Sequence, residues 1–172
     1  MRNALLRYYY LLLLGPLLGL HPTRSAAQTT TESFDTGTKT SYPTGTVTLP
    51  TGDWDLTDAL LGTDANDHKN GPQAVRIAQQ GRLTMDFFVP QGAATVTVQH
   101  ASYGTDGSSS WELWAQSQAC ACTKWTKVGA TVITSSPVLQ AASFTVNIPG
   151  QVRFEIRKTS GGKARPAARG RR

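Results

Sequence analysis

An antiparallel all-β sandwich is the fold that this sequence predicts, and three observations carry it. Hydrophobic residues fill 39% of the 172 positions and charged residues only 16%. That is too apolar for a disordered chain, and it is short of the long charged side chains that cover helical bundles. Gly, Thr, Ser, Val and aromatic residues are abundant, the composition of strands and turns. Apolar and polar residues alternate with period two in short runs between turn clusters, and no segment carries a 3.6-residue period.

In chain order, residues 1–27 read as a signal peptide. Arg2 and Arg7 form a positive start, Tyr8 to Leu20 an apolar run, and Ser25, Ala26 and Ala27 supply small residues for cleavage before Gln28. The apolar run is shorter than the ~20 residues of a spanning helix, and an uncleaved anchor is the alternative. The expectation is a secreted protein, extracellular or periplasmic, with no membrane span after cleavage. Export removes cytosolic metabolism and ATP-driven chemistry from the candidate functions.

The mature region, 28–162, is read as one β-sandwich module of sufficient length to bury a core without disulfides. Nine segments qualify as strands: 45–49, 53–56, 73–78, 82–89, 94–101, 110–116, 124–134, 140–148 and 151–158. Val96 and Val98 alternate with Thr95, Thr97 and Gln99, so they share one face, and His100 continues it. Phe144, Val146 and Ile148 are expected to pair with Val152, Phe154 and Ile156 across the turn Pro149-Gly150, with Arg153, Glu155 and Arg157 pointing to water.

Charge separates the ends from the middle. The formal net charge is +6, but residues 28–162 hold nine basic and eleven acidic side chains. The basic excess lies in the first 27 residues and in the tail 163–172, which is read as disordered or as an out-of-frame end; a basic tail binding nucleic acid or an anionic surface is the alternative.

Three groups of residues carry a resemblance. The first is 58–62 (DALLG), 67–71 (DHKNG) and 74–77 (AVRI); the second is 103–106 (YGTD) leading to 109–114 (SSWELW); the third is 125–129 (WTKVG), 144–147 (FTVN) and 152–162 (VRFEIRKTSGG). Together these resemble a secreted bacterial jelly-roll module in the style of carbohydrate-binding-like and MAM-like sandwiches. Some such modules are accessory domains ahead of a DNA/RNA non-specific endonuclease domain. The resemblance implies a jelly-roll β-sandwich. It also implies a further strand where the basic tail stands, so that the last strand is missing and a sheet edge is left open.

Chemistry-bearing residues are few. Cys120 and Cys122 are the only cysteines. Residues i and i+2 of an extended strand lie about 6.6 Å apart, near the limit for bridging, so a strained loop disulfide, two free thiols, and metal or redox use all stay open. The run 64–71 fails the EF-hand pattern, because Lys69 and Val75 stand where Gly and Glu are needed. Jelly-roll modules often hold a structural calcium in loop oxygens, which makes Asp64 and Asp67 the candidate metal ligands; an Asx-rich turn is the alternative. No nucleophile elbow, phosphate loop or converging carboxylate pair is visible, so no catalytic residue is assigned and the protein is not read as an enzyme.

The aromatic residues remain. Alternation puts Trp111 on one face of its strand and Trp114 on the other, so one of them lies nearer water. A flat ring beside polar groups is what a sugar-binding platform uses, and Trp54, Tyr103, Trp114 and Trp125 are the candidate ligand-binding residues; core or edge cover is the alternative. The reading is a monomeric, non-catalytic module for carbohydrate or a cell-surface polymer. Its alternatives are an accessory domain of a secreted nuclease, meeting nucleic acid only indirectly, and a structural or adhesive spacer.

Overall fold

The computed structural model describes residues 29–118 and 124–161. The segment read as a signal peptide, the two cysteines Cys120 and Cys122, and the tail 163–172 lie outside the described residues. Eight antiparallel strands and no helix make up the described chain: β1 (Gly45–Leu49), β2 (Gly52–Gly62), β3 (Ala74–Met85), β4 (Ala93–His100), β5 (Ser109–Ser117), β6 (Thr126–Thr134), β7 (Gln140–Ile148) and β8 (Val152–Ser160). They form a six-stranded sheet, β1-β2-β3-β8-β5-β6, and a two-stranded sheet, β4-β7. Among the described residues no helix is long and apolar enough to cross a membrane.

Period-two alternation builds the core. Trp111, Leu113 and Ala115 of β5, Val152 and Phe154 of β8 and Met85 of β3 are buried in one cluster with Phe144 of β7, and Val96 and Val98 of β4 pack on it. Burying a side chain as completely as Leu56, Leu113 or Val152 stabilises the fold by roughly 2 kcal/mol. A second cluster joins Val47, Leu49, Leu56, Ala59, Leu61 and Leu83 across β1, β2 and β3. An N-terminal segment rather than a strand covers it. A Cβ on Gly37 would stand 2.5–2.9 Å from Val47, Leu49 and Leu61, so only glycine lets the backbone lie this close.

Two expectations need correction. Segments 73–78 and 82–89 are not two strands: β3 runs through Gln79, Gln80 and Gly81 as an irregularity opposite Asp58, and Gln80 and Asp58 both take positive φ. The Gln-Gln-Gly run has turn composition, yet ladder bonds on either side keep the chain in the sheet. Nor do 144–148 and 152–156 form a hairpin. β7 pairs with β4, whereas β8 pairs with β3 and β5. Pro149-Gly150 therefore carries the chain between the sheets, and Phe144 and Phe154 meet through the shared interior. Two strands with inward apolar faces satisfy the alternation equally well from opposite sheets as from one.

Candidate functional site

The outer face of the six-stranded sheet holds alternate residues of β5 and β8: Glu112, Trp114 and Gln116 from one, Arg153, Glu155 and Arg157 from the other. Register sets Trp114 opposite Glu155 and Gln116 opposite Arg153. Trp114 also faces Lys127 on β6.

Cations and rings alternate across this face. The Arg157 guanidinium lies 4.1 Å from the Trp114 ring centre and 5.9 Å from that of Trp125. Arg153 lies 5.3 Å from Trp125 and 5.2 Å from Phe88. The result is a ladder, Phe88–Arg153–Trp125–Arg157–Trp114, in which each guanidinium sits between two π-systems at cation–π range. Trp114 and Trp125 are half-buried, and beneath the ladder Gln116 and Glu155 are only 5% exposed. Glu155 was expected to point to water; it lies on the outer face but is buried under the ladder, because its carboxylate accepts from the Thr84 hydroxyl at 2.7 Å and from Arg157 Nε.

The flanking polar groups are held as firmly. Arg153 Nε donates to Gln116 Oε1 at 2.7 Å, and its guanidinium pairs with Asp86 at 3.6 Å. The Trp114 indole N–H donates to Glu112 Oε2 at 2.9 Å. Glu112 Oε1 accepts from Lys127 Nζ at 2.7 Å and from Thr131 Oγ at 3.0 Å. A bulge in β6 makes this convergence local: Gly129, at φ 65°, adds the extra residues that turn Lys127 and Thr131 toward one carboxylate. Lys127 foremost holds the Glu112 carboxyl below its ordinary value; burial opposes it, and Thr131 and Trp114 add to the lowering. Arg153, Arg157 and Lys127 are each matched by Asp86, Glu155 or Glu112, while Arg82, opposite Arg157 in the β3–β8 register, is exposed beside them.

The four candidate aromatics are thus not one cluster. Trp114 and Trp125 come together; Trp54 and Tyr103 do not join them. Trp54 turns inward, with edge-to-face contacts to Phe34 at 5.0 Å and Phe87 at 6.0 Å, and its N–H donates to Thr51. Tyr103 lies in the β4–β5 loop, its ring 4.2 Å beneath the Arg76 guanidinium. The sequence reading set Arg153 and Arg157 on the water-facing side of their strand and gave them no part in the site. Their i, i+4 spacing on one strand is legible, but only the β8–β5 register sets them against tryptophans.

Asp64 and Asp67, the candidate metal ligands, are engaged by protein groups. Arg76 Nε and Nη2 donate to the two Asp67 oxygens at 2.8 and 2.5 Å, and the Asp64 backbone N–H donates to Asp67 as well. The Asp64 carboxylate caps an Asx turn by accepting from the backbone and side chain of Asn66, and the backbone bond foremost holds it below its ordinary value. No group of three or more His, Cys, Asp or Glu placed to hold a metal ion occurs among the described residues.

His100 faces inward. Its Nδ1 bonds to Thr134 Oγ at 2.8 Å, and that hydroxyl also accepts from the Trp111 N–H at 3.1 Å. Burial pushes the imidazole down from 6.5.

Comparison with protein-family models, with curated proteins and with solved structures finds no match to this chain.

Proposed function

We propose that this protein is a secreted, non-catalytic binding module whose ligand is a neutral carbohydrate or carbohydrate-bearing cell-surface polymer, and that the outer face of the six-stranded sheet is its platform. The observation that carries this reading is the convergence of Trp114 and Trp125 with Arg153 and Arg157 on one rigid sheet face. The apolar face of a sugar ring stacks on an indole, and guanidinium, amide and hydroxyl groups beside it bond to the sugar hydroxyls. The ladder pre-orders these groups, which lowers the entropy lost on binding. The pairing of Arg153, Arg157 and Lys127 with carboxylates favours a neutral glycan over nucleic acid, whose binding rests on uncompensated cations.

The test is calorimetric titration of the full-length mature protein with soluble neutral polysaccharides, a β-glucan and a xylan among them, beside its Trp125→Ala variant. Binding by the parent, weakened roughly tenfold or more in the variant, supports the reading. Binding to double-stranded DNA with a steep salt dependence, and to no glycan, sinks it.

A further inference from the structure

The loop between β2 and β3 holds the N-terminal cover in place. Gln73 Nε2 donates to the carbonyls of Phe34 and Gly37 at 2.5 and 2.8 Å, and the Gln73 N–H donates to Asp35 Oδ1 at 3.4 Å. The Asp35 carboxylate also rests against Gly71, where a Cβ would stand 2.5–2.8 Å from its atoms. The φ of Gly71 is not positive, so space and not backbone conformation requires glycine there. Segment 34–37 in turn lies on the second core cluster, through Phe34 and through the close approach of Gly37 to Val47, Leu49 and Leu61.

The glycine that this packing requires follows an asparagine. Asn70 and Gly71 are both exposed and lie outside the strands. Among the described residues no hydrogen bond engages the Asn70 side chain or the Gly71 N–H. The other described asparagines are placed differently. Asn66 is tied to Asp64 Oδ1, by its Nδ2 at 2.9 Å and by its backbone N–H at 2.8 Å. Asn147 belongs to β7 and precedes Ile148, whose branched side chain crowds its own amide nitrogen.

We propose that Asn70-Gly71 is a self-modification site, at which the Asn70 side chain closes on the Gly71 nitrogen and reopens as aspartate or isoaspartate, and that the isoaspartate form loosens the N-terminal cover. Hydroxide removes the Gly71 amide proton, and the nitrogen attacks Asn70 Cγ. The N–Cγ bond forms, the Cγ–Nδ2 bond breaks, and Nδ2 leaves as ammonia with a proton from water. Water then opens the cyclic imide. Cleavage at Cγ restores the ordinary backbone with a carboxylate side chain, whereas cleavage at the α-carbonyl leaves the main chain running through Cγ. One water is consumed and one ammonia released, with no change of oxidation state. Glycine permits the closure because it has no Cβ to crowd its nitrogen. Isoaspartate adds one carbon to the main chain just before Gly71, which displaces the glycine from Asp35 and Gln73 from its bonds to Phe34 and Gly37. Either product sets a new carboxylate one residue from the glycine that Asp35 touches, where like charges repel. The reaction needs no ligand, so it stands or falls independently of glycan binding.

The test is incubation of the full-length mature protein in mildly alkaline and mildly acidic buffer, beside its Asn70→Gln variant. In alkali the intact mass should rise by about 1 Da. Peptide mapping should place the gain at residue 70, and isoaspartyl methyltransferase should label that peptide. The variant should gain no mass, because glutamine would have to close a larger and slower ring. The Asp106-Gly107 pair can isomerise by the same route without gaining mass, so the mass change separates the two pairs. Hydrogen exchange should quicken at residues 33–37 in the aged parent and not in the aged variant. An Asn70 that keeps its amide in alkali after the free peptide 66–76 has lost it overturns the proposal, and so does an equal gain at Asn66 or Asn147. Modification at residue 70 with unchanged exchange at 33–37 overturns the loosening of the cover.

Discussion

Arg157 binds Trp114 and Glu155 at once: its guanidinium stacks 4.1 Å from the indole centre while its Nε donates to the carboxylate, whose other oxygen is held by Thr84. The contact with Glu155 keeps a 5%-exposed carboxylate compensated, and the contact with Trp114 places the ring. One side chain thereby links the stability of the sheet to the shape of the proposed platform.

Replacing Arg157 with alanine leaves Glu155 buried beside Thr84 with no cation. The expected cost is about 3 kcal/mol, because an unpaired buried charge is dearer than the pair it came from. Urea denaturation measures it. Adding Glu155→Gln should restore part of the loss, since a neutral amide in that place has no charge to compensate; no restoration would mean that Arg157 acts through its packing on Trp114 alone.

Trp54 and Trp125 should separate stability from binding. Trp54→Ala empties a site packed between Phe34 and Phe87, at an expected cost of about 3 kcal/mol. Trp125→Ala removes a ring on the outer face and should cost less than half as much in a urea melt. A larger loss for Trp125 than for Trp54 would contradict the inward placement of Trp54.

His100 makes stability depend on pH. Its folded value lies below the ordinary 6.5 because burial disfavours the charged ring. Below pH 6.5 the unfolded chain therefore binds more protons than the folded one, so this contribution is complete above 6.5 and is lost as pH falls. The urea midpoint should decline from pH 7 toward pH 5, and His100→Gln should flatten the decline. An unchanged slope in the variant would exclude His100 as its source.

Thr134→Val removes the hydroxyl shared by His100 and Trp111. The Trp111 N–H, on a side chain only 6% exposed, then loses its acceptor, at an expected cost of about 1–3 kcal/mol. Near-isosteric valine makes cavity formation a small effect, so a neutral result would show that water replaces the hydroxyl.

In the loop of Asp64 and Asp67, calcium and a chelator should each leave Tm unchanged, because Arg76 already occupies both Asp67 oxygens. Asp67→Asn should lower stability by about 3 kcal/mol by leaving Arg76 without its charge partner. A calcium-dependent rise in Tm would place a cation where the ion pair stands.

Much of the fold is local information. The alternation in residues 94–100 and 152–156 determined which side of each strand is apolar, because successive side chains of a strand point to opposite faces whatever the strand pairs with. It likewise put Trp111 and Trp114 on opposite faces of β5; that Trp111 is the inward one was decided by the packing around it. Pairing is different. Backbone hydrogen bonds are the same for every partner, so nothing in 144–156 distinguishes a hairpin from a crossing between sheets; the packing of Phe144 against Trp111 and Gly129 decided that. Tertiary register also decided the candidate site. Trp114, Trp125, Arg153 and Arg157 are separate in sequence, and only the β8–β5 ladder and the β5–β6 hairpin bring them into one array. The same assembly left β4 with an edge that no described strand pairs, since a sheet's edge is a property of which strands are neighbours and of no single strand.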